Sequence, residues 1–379
     1  MNEIRNIVIG FAAILLANMS FAVINAQSVA NKKSKKTATV QRVEKEPAKV
    51  ERRNVTPFEG TVTIAMTGDI MTGTILPELN MPPNDGRDIF VDCANLLKGA
   101  DVACGNLEGV LADKGKPRKA PGPLSFSFMM PTKSVNLLVD AGYDFLGIAN
   151  NHINDFYPEC IATTIKTLRE NQIGVAGTKD CDYSLCDING VRYGFCAFGH
   201  ESYTLKTQDT PTVKRIIREL RPLCDILIVC FHGGSEGISE RHLPYGTEYF
   251  HGADRGNLRE FAHLCIDTGA DIVYGHGPHV PRAMELYKDH LIAYSLGNFA
   301  TPRGMKLVNQ TSYAPLLMAR LNAKGEFVDG KIYPFIQYRD KGPRADNTGA
   351  VVKEISTLTE EDIKDNKLNI APDGTITRK

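Results

Sequence analysis

From Gly60 onward, short apolar runs alternate with segments whose apolar residues recur every three or four positions. Residues 61–66, 101–104, 145–149, 173–176, 225–231 and 271–274 read as strands, several β-branched and ending in Gly or another small residue. Residues 89–97, 134–141, 161–171, 213–220 and 258–268 carry the spacing of amphipathic helices. The alternation predicts an α/β fold, a mostly parallel central sheet covered by helices. Residues 183–188 and 191–198 flank Asn189-Gly190, a hairpin signal because both turn positions favour a left-handed backbone. After Arg282 the pattern becomes hairpin-like, with strands expected over 283–287, 291–294, 314–321 and 327–338. Beyond Asp340 the residues are polar and weakly patterned, so 341–379 is expected to be a polar C-terminal tail.

The N-terminus has a different pattern. Residues 7–24 are apolar apart from Asn18 and Ser20, follow Arg5, and lead to Ala26. That is the form of a secretory signal peptide over 1–26, and an uncleaved anchor has the same sequence features. Either way the body is expected outside the cytoplasm, in the periplasm or at the cell surface. Residues 27–57 hold nine Lys or Arg against three acids and few apolar side chains, which predicts a flexible basic linker.

The whole chain of 379 residues has zero formal net charge, so the +6 linker leaves a body of −6. An acidic body without a basic aromatic stripe argues against nucleic acid as a partner. A hydrophobic content of 42% is ample for a large core from residue 58 onward. Of the nine Cys, most lie inside apolar runs, where they act as small hydrophobes. Cys181 and Cys186 flank a polar loop and are the one pair placed for a disulfide. With no Cys-x-x-Cys pair, a thiolate zinc site is not expected.

Candidate chemistry lies at the strand ends, where open α/β sheets place their ligands. Five strands run out into Gly68-Asp69, Asn106-Leu107-Glu108, Asn150-Asn151-His152, His232-Gly233 and Gly275-His276-Gly277-Pro278-His279. Mixed imidazole, carboxylate and carboxamide donors suit Mn, Fe or Zn better than Ca. One or two such ions could activate water or clamp a phosphoryl group, with a free imidazole to protonate a leaving group. Each residue has a structural alternative: Asp69 and His152 could cap turns and Glu108 could be a solvated acid. His200, His242, His251, His263 and His290 lack the strand-end setting and are expected to be structural, although His242 and Glu236 follow His232 closely enough to reach the site. Ser235 and Ser295 lack the Gly-x-Ser-x-Gly elbow of a serine hydrolase.

These motifs, with Gly269-Ala270-Asp271 and Tyr294-Ser295-Leu296-Gly297-Asn298-Phe299, resemble the bacterial capsule-synthesis family called CapA or PgsA, associated with poly-γ-glutamate. The resemblance covers about residues 61–300 within an expected domain of 58–340. That family is in turn similar to calcineurin-like metallophosphoesterases. The resemblance implies a four-layer sandwich, two mixed β-sheets packed together and flanked by helices. It implies Asp69, Glu108, Asn151, His232, His276 and His279 as metal ligands and His152, with Asn151, as catalytic. Asn106, Asn150 and Asn298 are expected at the substrate. Departures are Met71 where those enzymes carry a ligand His, the Asn106/Glu108 pair in place of a bridging Asp, and Gly277 where a His is frequent. The implied function is synthesis or export of a capsule-type polymer by a metal-dependent, phosphoesterase-like hydrolase. The alternative is a non-catalytic, polymer-binding subunit of a membrane-bound capsule synthesis complex. Expected partners are an anionic surface polymer or phosphoester and membrane-bound capsule synthesis proteins.

Overall fold

A computed structural model describes residues 58–120 and 126–379. The expected signal segment and all of the expected linker lie outside the described residues. No helix among the described residues is long and apolar enough to cross a membrane.

The strands are β1 (Thr61–Ile70), β2 (Val102–Leu107), β3 (Phe145–Gly147), β4 (Gly174–Ala176), β5 (Tyr183–Ile188), β6 (Val191–Phe198), β7 (Ile226–His232), β8 (Ile272–His276), β9 (Met284–Tyr287), β10 (His290–Ala293), β11 (Asn298–Ala300), β12 (Leu316–Asn322), β13 (Phe327–Tyr333), β14 (Leu368–Ile370) and β15 (Thr375–Arg378). The helices are α1 (Ala94–Lys98), α2 (Val135–Ala141), α3 (Pro158–Glu170), α4 (Thr210–Leu220), α5 (Leu258–Thr268) and α6 (Ala350–Asp362). Short pairings outside the main sheets are given by residue range.

The first sheet has nine strands in the order β14-β15-β13-β12-β1-β2-β3-β4, with β11 also pairing with β1. The second has six, in the order β9-β10-β8-β7-β6-β5. Both are mixed. The β1-β2-β3-β4 and β6-β7-β8-β10 stretches are parallel, and antiparallel strands flank them.

The sheets pack face to face. One core cluster joins Ile64, Met66, Cys104 and Phe145 of the first to Phe195, Ile228, Cys230 and Tyr274 of the second. Phe145 and Phe195 stack across it with centroids 5.2 Å apart. Ala65, Ala103, Leu146 and Val175 point the other way, under α1, α2 and α3. Leu227, Val229, Val273 and Ile292 do the same under α4 and α5. Both faces of each parallel stretch are therefore covered, which is why those strands read as continuous apolar runs. The result is the expected four-layer α/β sandwich.

Several boundaries differ from the sequence reading. The helix expected over 89–97 is reduced to α1, and in the stretch before it Arg344 donates to the carbonyls of Asp88 and Ile89 at 2.8 and 3.2 Å. The run 327–338 breaks at Pro334, which has no N–H to donate, so Phe335–Tyr338 pairs with Gly342–Ala345 instead. Residues 341–379 are not a tail. β15 pairs with β13 at the sheet edge, and α6 places Val351, Val352 and Ile355 in the inter-sheet core. Its apolar residues are few and set among Glu, Lys and Thr, so the pattern is weak, yet the buried ones fall on one face. Ile355→Ala should accordingly cost about 2–5 kcal/mol in a denaturant titration, where a residue in a tail would cost nothing.

The hairpin at Asn189-Gly190 is present, with φ of 50° and 85° at the two turn residues. No disulfide joins Cys181 to Cys186. Cys181 sits in the outer core and donates to the Val175 carbonyl at 3.0 Å, whereas Cys186 packs against the inter-sheet core.

Candidate metal centre

Strand register assembles the site. β1 lies between β2 and β11, and Asp69 is level with Asn106 on one side and Asn298 on the other. Between Met66 and Asp69 the register against β2 slips by a residue. That bulge re-aims the end of β1. Gly68 sits at the bulge because its α-carbon abuts the Gly297 carbonyl, where a Cβ would come within 2.0 Å of the oxygen. In the second sheet His232 and His276 are direct cross-strand partners at the ends of β7 and β8. The chain then turns through Gly277, at φ +120° with Gly233 O only 2.2 Å from a would-be Cβ, so a side chain there would be strained. His279 follows at φ +59°, a left-handed conformation costly for a non-glycine residue.

The donor atoms converge. One ligand atom each from Asp69, Glu108 and His232 lie within 4.8 Å of one another, and all three residues are buried. His276 Nδ1 is 3.7 Å from Asp69 Oδ1. His279 Nδ1 is 3.0 Å from Asp69 Oδ2, and its Nε2 is 3.9 Å from Glu108 Oε1 and 3.7 Å from Glu236 Oε2. Among the described residues, neither Glu108 oxygen, neither His232 nitrogen and neither His276 nitrogen has a hydrogen-bond partner, and Asn151 Oδ1 has none either. Buried polar atoms are rarely left so. A cluster of such atoms from carboxylates and imidazoles fits a divalent cation.

Electrostatics agree. Burial, reinforced by Asp69, raises the Glu108 carboxyl well above its ordinary range. Burial lowers His232 well below its ordinary value, helped by Arg255 and His200, and brings His276 down to about 4. Both imidazoles are therefore neutral and able to donate a lone pair near pH 7. Burial would also lower His279, but Glu108, Asp69 and Glu236 outweigh it and raise it to about 10. A cation at the carboxylates would replace that proton as the neutralising charge.

Met71 takes no part. Its sulfur accepts from the Gly73 N–H at 3.3 Å and its methyl fills the space beside Gly304.

The three asparagines expected at the substrate make hydrogen bonds within the protein. Asn106 Nδ2 donates to Asp69 Oδ1 at 2.8 Å, and Asn150 Nδ2 donates to Asn106 Oδ1 at 3.1 Å and to the Leu107 carbonyl at 2.8 Å. Asn298 Nδ2 donates to the Thr311 carbonyl at 3.0 Å, which turns its Oδ1 to accept from His279 Nδ1 at 3.1 Å. All three are buried, and none lines the cleft.

Asn151 and His152 do line it, in an open cleft of about 650 Å³. His152 Nδ1 donates to Asp155 Oδ2 at 2.7 Å, and the ring lies 4.3 Å from that of Phe128. This leaves Nε2 facing the centre, 3.8 Å from Glu108 Oε1. Asp155 is in turn held by Lys119 at 2.6 Å and by the Phe128 N–H at 2.9 Å.

The other histidines divide. His242 bonds Asp362, His263 bonds Glu285 and His290 bonds backbone carbonyls, all structural as expected. His200 and His251 instead line the cleft. Of the pair placed near His232 in the sequence, Glu236 reaches the site and His242 does not. Asp155, Arg255, Arg118 and Lys119 were missed. Asp155 had a local signal, three residues past His152 in an unusually polar run, whereas Arg255 belongs to no motif.

The sequence matches the family described as bacterial capsule synthesis protein PGA_cap over residues 63–303. It is 29% identical over 267 residues to the capsule biosynthesis protein CapA of Bacillus anthracis, covering 64% of this chain and 60% of that protein. It is 27% identical over 267 residues to the PGA biosynthesis protein CapA of Bacillus subtilis (strain 168), covering 65% of each. The match thus spans less than two thirds of the length of these relatives. Among solved structures, the calcineurin-like phosphoesterase YfkN from Bacillus subtilis aligns over 80% of this chain and 97% of that one, at 13% identity and a TM-score of 0.41. With the family match extending from β1 to just past β11, and so across all five strand ends of the site, this chain belongs to the bacterial capsule synthesis protein PGA_cap family.

Proposed function

We propose that this protein is an exported, metal-dependent hydrolase of the phosphoesterase type that acts on an anionic surface polymer or phosphoester during synthesis or export of a capsule-type polymer. One observation carries the reading: buried Asp69, Glu108, His232 and His276 converge, and among the described residues the donor atoms of Glu108, His232 and His276 have no hydrogen-bond partner. Asp69, Glu108 and His232 would hold the first ion. His276, His279 and Asn151 would complete it or hold a second. Bound there, a divalent ion of the Mn, Fe or Zn kind supplies an acidified water and neutralises charge on a phosphoryl group.

The chain's own residues do the rest. Asn106, fixed by Asn150, holds the Asp69 carboxylate in one orientation. Asn298 fixes the His279 ring, leaving Nε2 as the atom it can offer. Asp155 accepts from His152 Nδ1, so Nε2 is where a proton can pass to a leaving group in the cleft. Membrane-bound capsule synthesis proteins are the proposed partners.

Elemental mass spectrometry of the purified protein tests this directly. The wild type should carry one to two equivalents of Mn, Fe or Zn, and His276→Ala should lose at least one. A metal-free wild type after incubation with each ion, inert toward phosphomonoesters and phosphodiesters, would sink the enzyme reading. Met71, whose sulfur is spent on Gly73, favours a second reading in which the cleft binds polymer without turning it over. Metal binding without hydrolysis would support that one.

A further inference from the structure

One wall of the cleft contains polar groups that the metal centre does not use. His200 and Arg255 are 6% and 4% exposed. Both line the cleft, yet among the described residues His200 Nδ1 and Arg255 Nε have no hydrogen-bond partner. Leaving buried polar atoms unpaired is costly, more so on a charged group such as the Arg255 guanidinium. The His200 and His232 rings are near-parallel with centroids 6.2 Å apart, so this wall adjoins the candidate metal centre.

The wall is built rather than incidental. Arg282, fully buried, grips Glu248 with two hydrogen bonds of 2.9 and 2.8 Å, and Glu248 accepts from the Ser235 N–H at 2.9 Å. That ties the hairpin Glu248–Phe250 and Ala253–Gly256 to the loop after β7. The hairpin delivers Arg255, whose guanidinium lies 5.6 Å from the Phe250 ring centroid and 2.8 Å from Glu236 Oε1. Opposite, Glu201 accepts from His200 at 3.4 Å. The Glu201 carboxyl is held below its usual range first by that hydrogen bond, with Arg255 and Lys119 adding to it. Arg255 and Lys119, from separate segments, thus both act on Glu201 in the lining of the cleft.

We infer that Arg255 and His200 form an oxyanion subsite beside the metal centre, which holds a second carboxylate or phosphate of the bound substrate. The inference deepens the proposed function and rests on this cleft being the substrate site. Arg255 presents a planar fork matched to a two-oxygen acceptor, and His200, whose Nε2 donates to Glu201, packs beside it and shapes the same wall. Selection would then favour polyanions over neutral chains, with the group next to the reacting one read by Arg255. These are positioning and specificity residues and hold no metal.

The test is titration calorimetry of tripolyphosphate and of a pentameric glutamate peptide against the full chain, with and without Mn²⁺. Wild type is compared with Arg255→Gln, Arg255→Lys and His200→Gln, with metal content measured on each. Arg255→Gln should weaken binding about 10- to 100-fold, and Arg255→Lys less, since it keeps the charge but loses the fork. His200→Gln should weaken it several-fold, with metal content unchanged in all three. Response to tripolyphosphate alone assigns the subsite to phosphate, and response to the peptide alone assigns it to carboxylate. Wild-type affinity for both anions in Arg255→Gln, or no binding of either by the wild type, overturns the inference. If Arg255→Gln does not fold, Arg255→Lys and His200→Gln decide it by the same criterion. A wild type that binds these anions but holds no metal would remove the hydrolase reading and leave the subsite standing.

Discussion

Glu108→Gln should weaken metal binding at least about 100-fold, while making the metal-free protein no less stable than the wild type and more stable near neutral pH. The substitution keeps shape and removes one of the two charges that an ion would neutralise. Glu108 is fully buried, lies beside Asp69 and has no hydrogen-bond partner for either oxygen. Its carboxyl is raised well above the ordinary value by that burial and by Asp69. A carboxyl raised in the folded state takes up a proton that the unfolded chain gives away. It therefore costs stability as pH climbs above the unfolded value of about 4.3. The metal-free mutant and wild type should melt together near pH 4 and separate toward pH 7, the mutant higher. Added Mn²⁺ or Zn²⁺ should then reverse the order by stabilising only the wild type. Thermal melts at two pH values, with and without ion, give all four comparisons. A metal-free mutant that melts lower than wild type at pH 7 would mean that the attraction between Glu108 and His279 outweighs the cost of burying the carboxyl, and that Glu108 is a structural partner rather than held for a ligand.

His152→Ala should lower kcat on a phosphoester such as bis-p-nitrophenyl phosphate by about 10²–10⁴-fold and leave metal content unchanged. The ring is clamped between Asp155 and Phe128, with Nε2 toward Glu108. It contributes no atom to the Asp69–Glu108–His232 group. Asp155→Asn should lower kcat by less, because Phe128 still limits the ring when its charged acceptor is gone. KM should move little in either variant, since the interaction is made with a leaving group only as its bond breaks. Equal loss of metal and activity would show His152 to be a ligand instead. Full activity in His152→Ala would remove it from the chemistry.

Much of this was legible beforehand because the physics was local. Apolar runs ending in Gly marked β1, β2, β7 and β8, and a ligand-type side chain at the end of each is a pattern of neighbouring residues. Where reading failed, distant contacts had decided. The helix expected from Ile89 starts only at Ala94, after a stretch where the distant Arg344 donates to the Asp88 and Ile89 carbonyls. α6 looked like a solvated segment because only one narrow face is apolar, and that face is buried by both sheets. The hydrogen bonds of Asn106, Asn150 and Asn298 were not legible, because a carboxamide at a strand end looks the same whether it points outward or at a neighbouring group.

The sequence by itself therefore determined the α/β class, the strand-end address of the candidate donors and the family, since these follow from periodicity and short motifs. The tertiary structure alone decided which donors meet and which residues merely hold them. Register between β7 and β8 sets His232 beside His276, and a bulge in β1 turns Asp69 toward them. It alone also carried Arg255 and His200 to the cleft, because a hairpin anchored by one buried ion pair leaves no periodic trace in the chain.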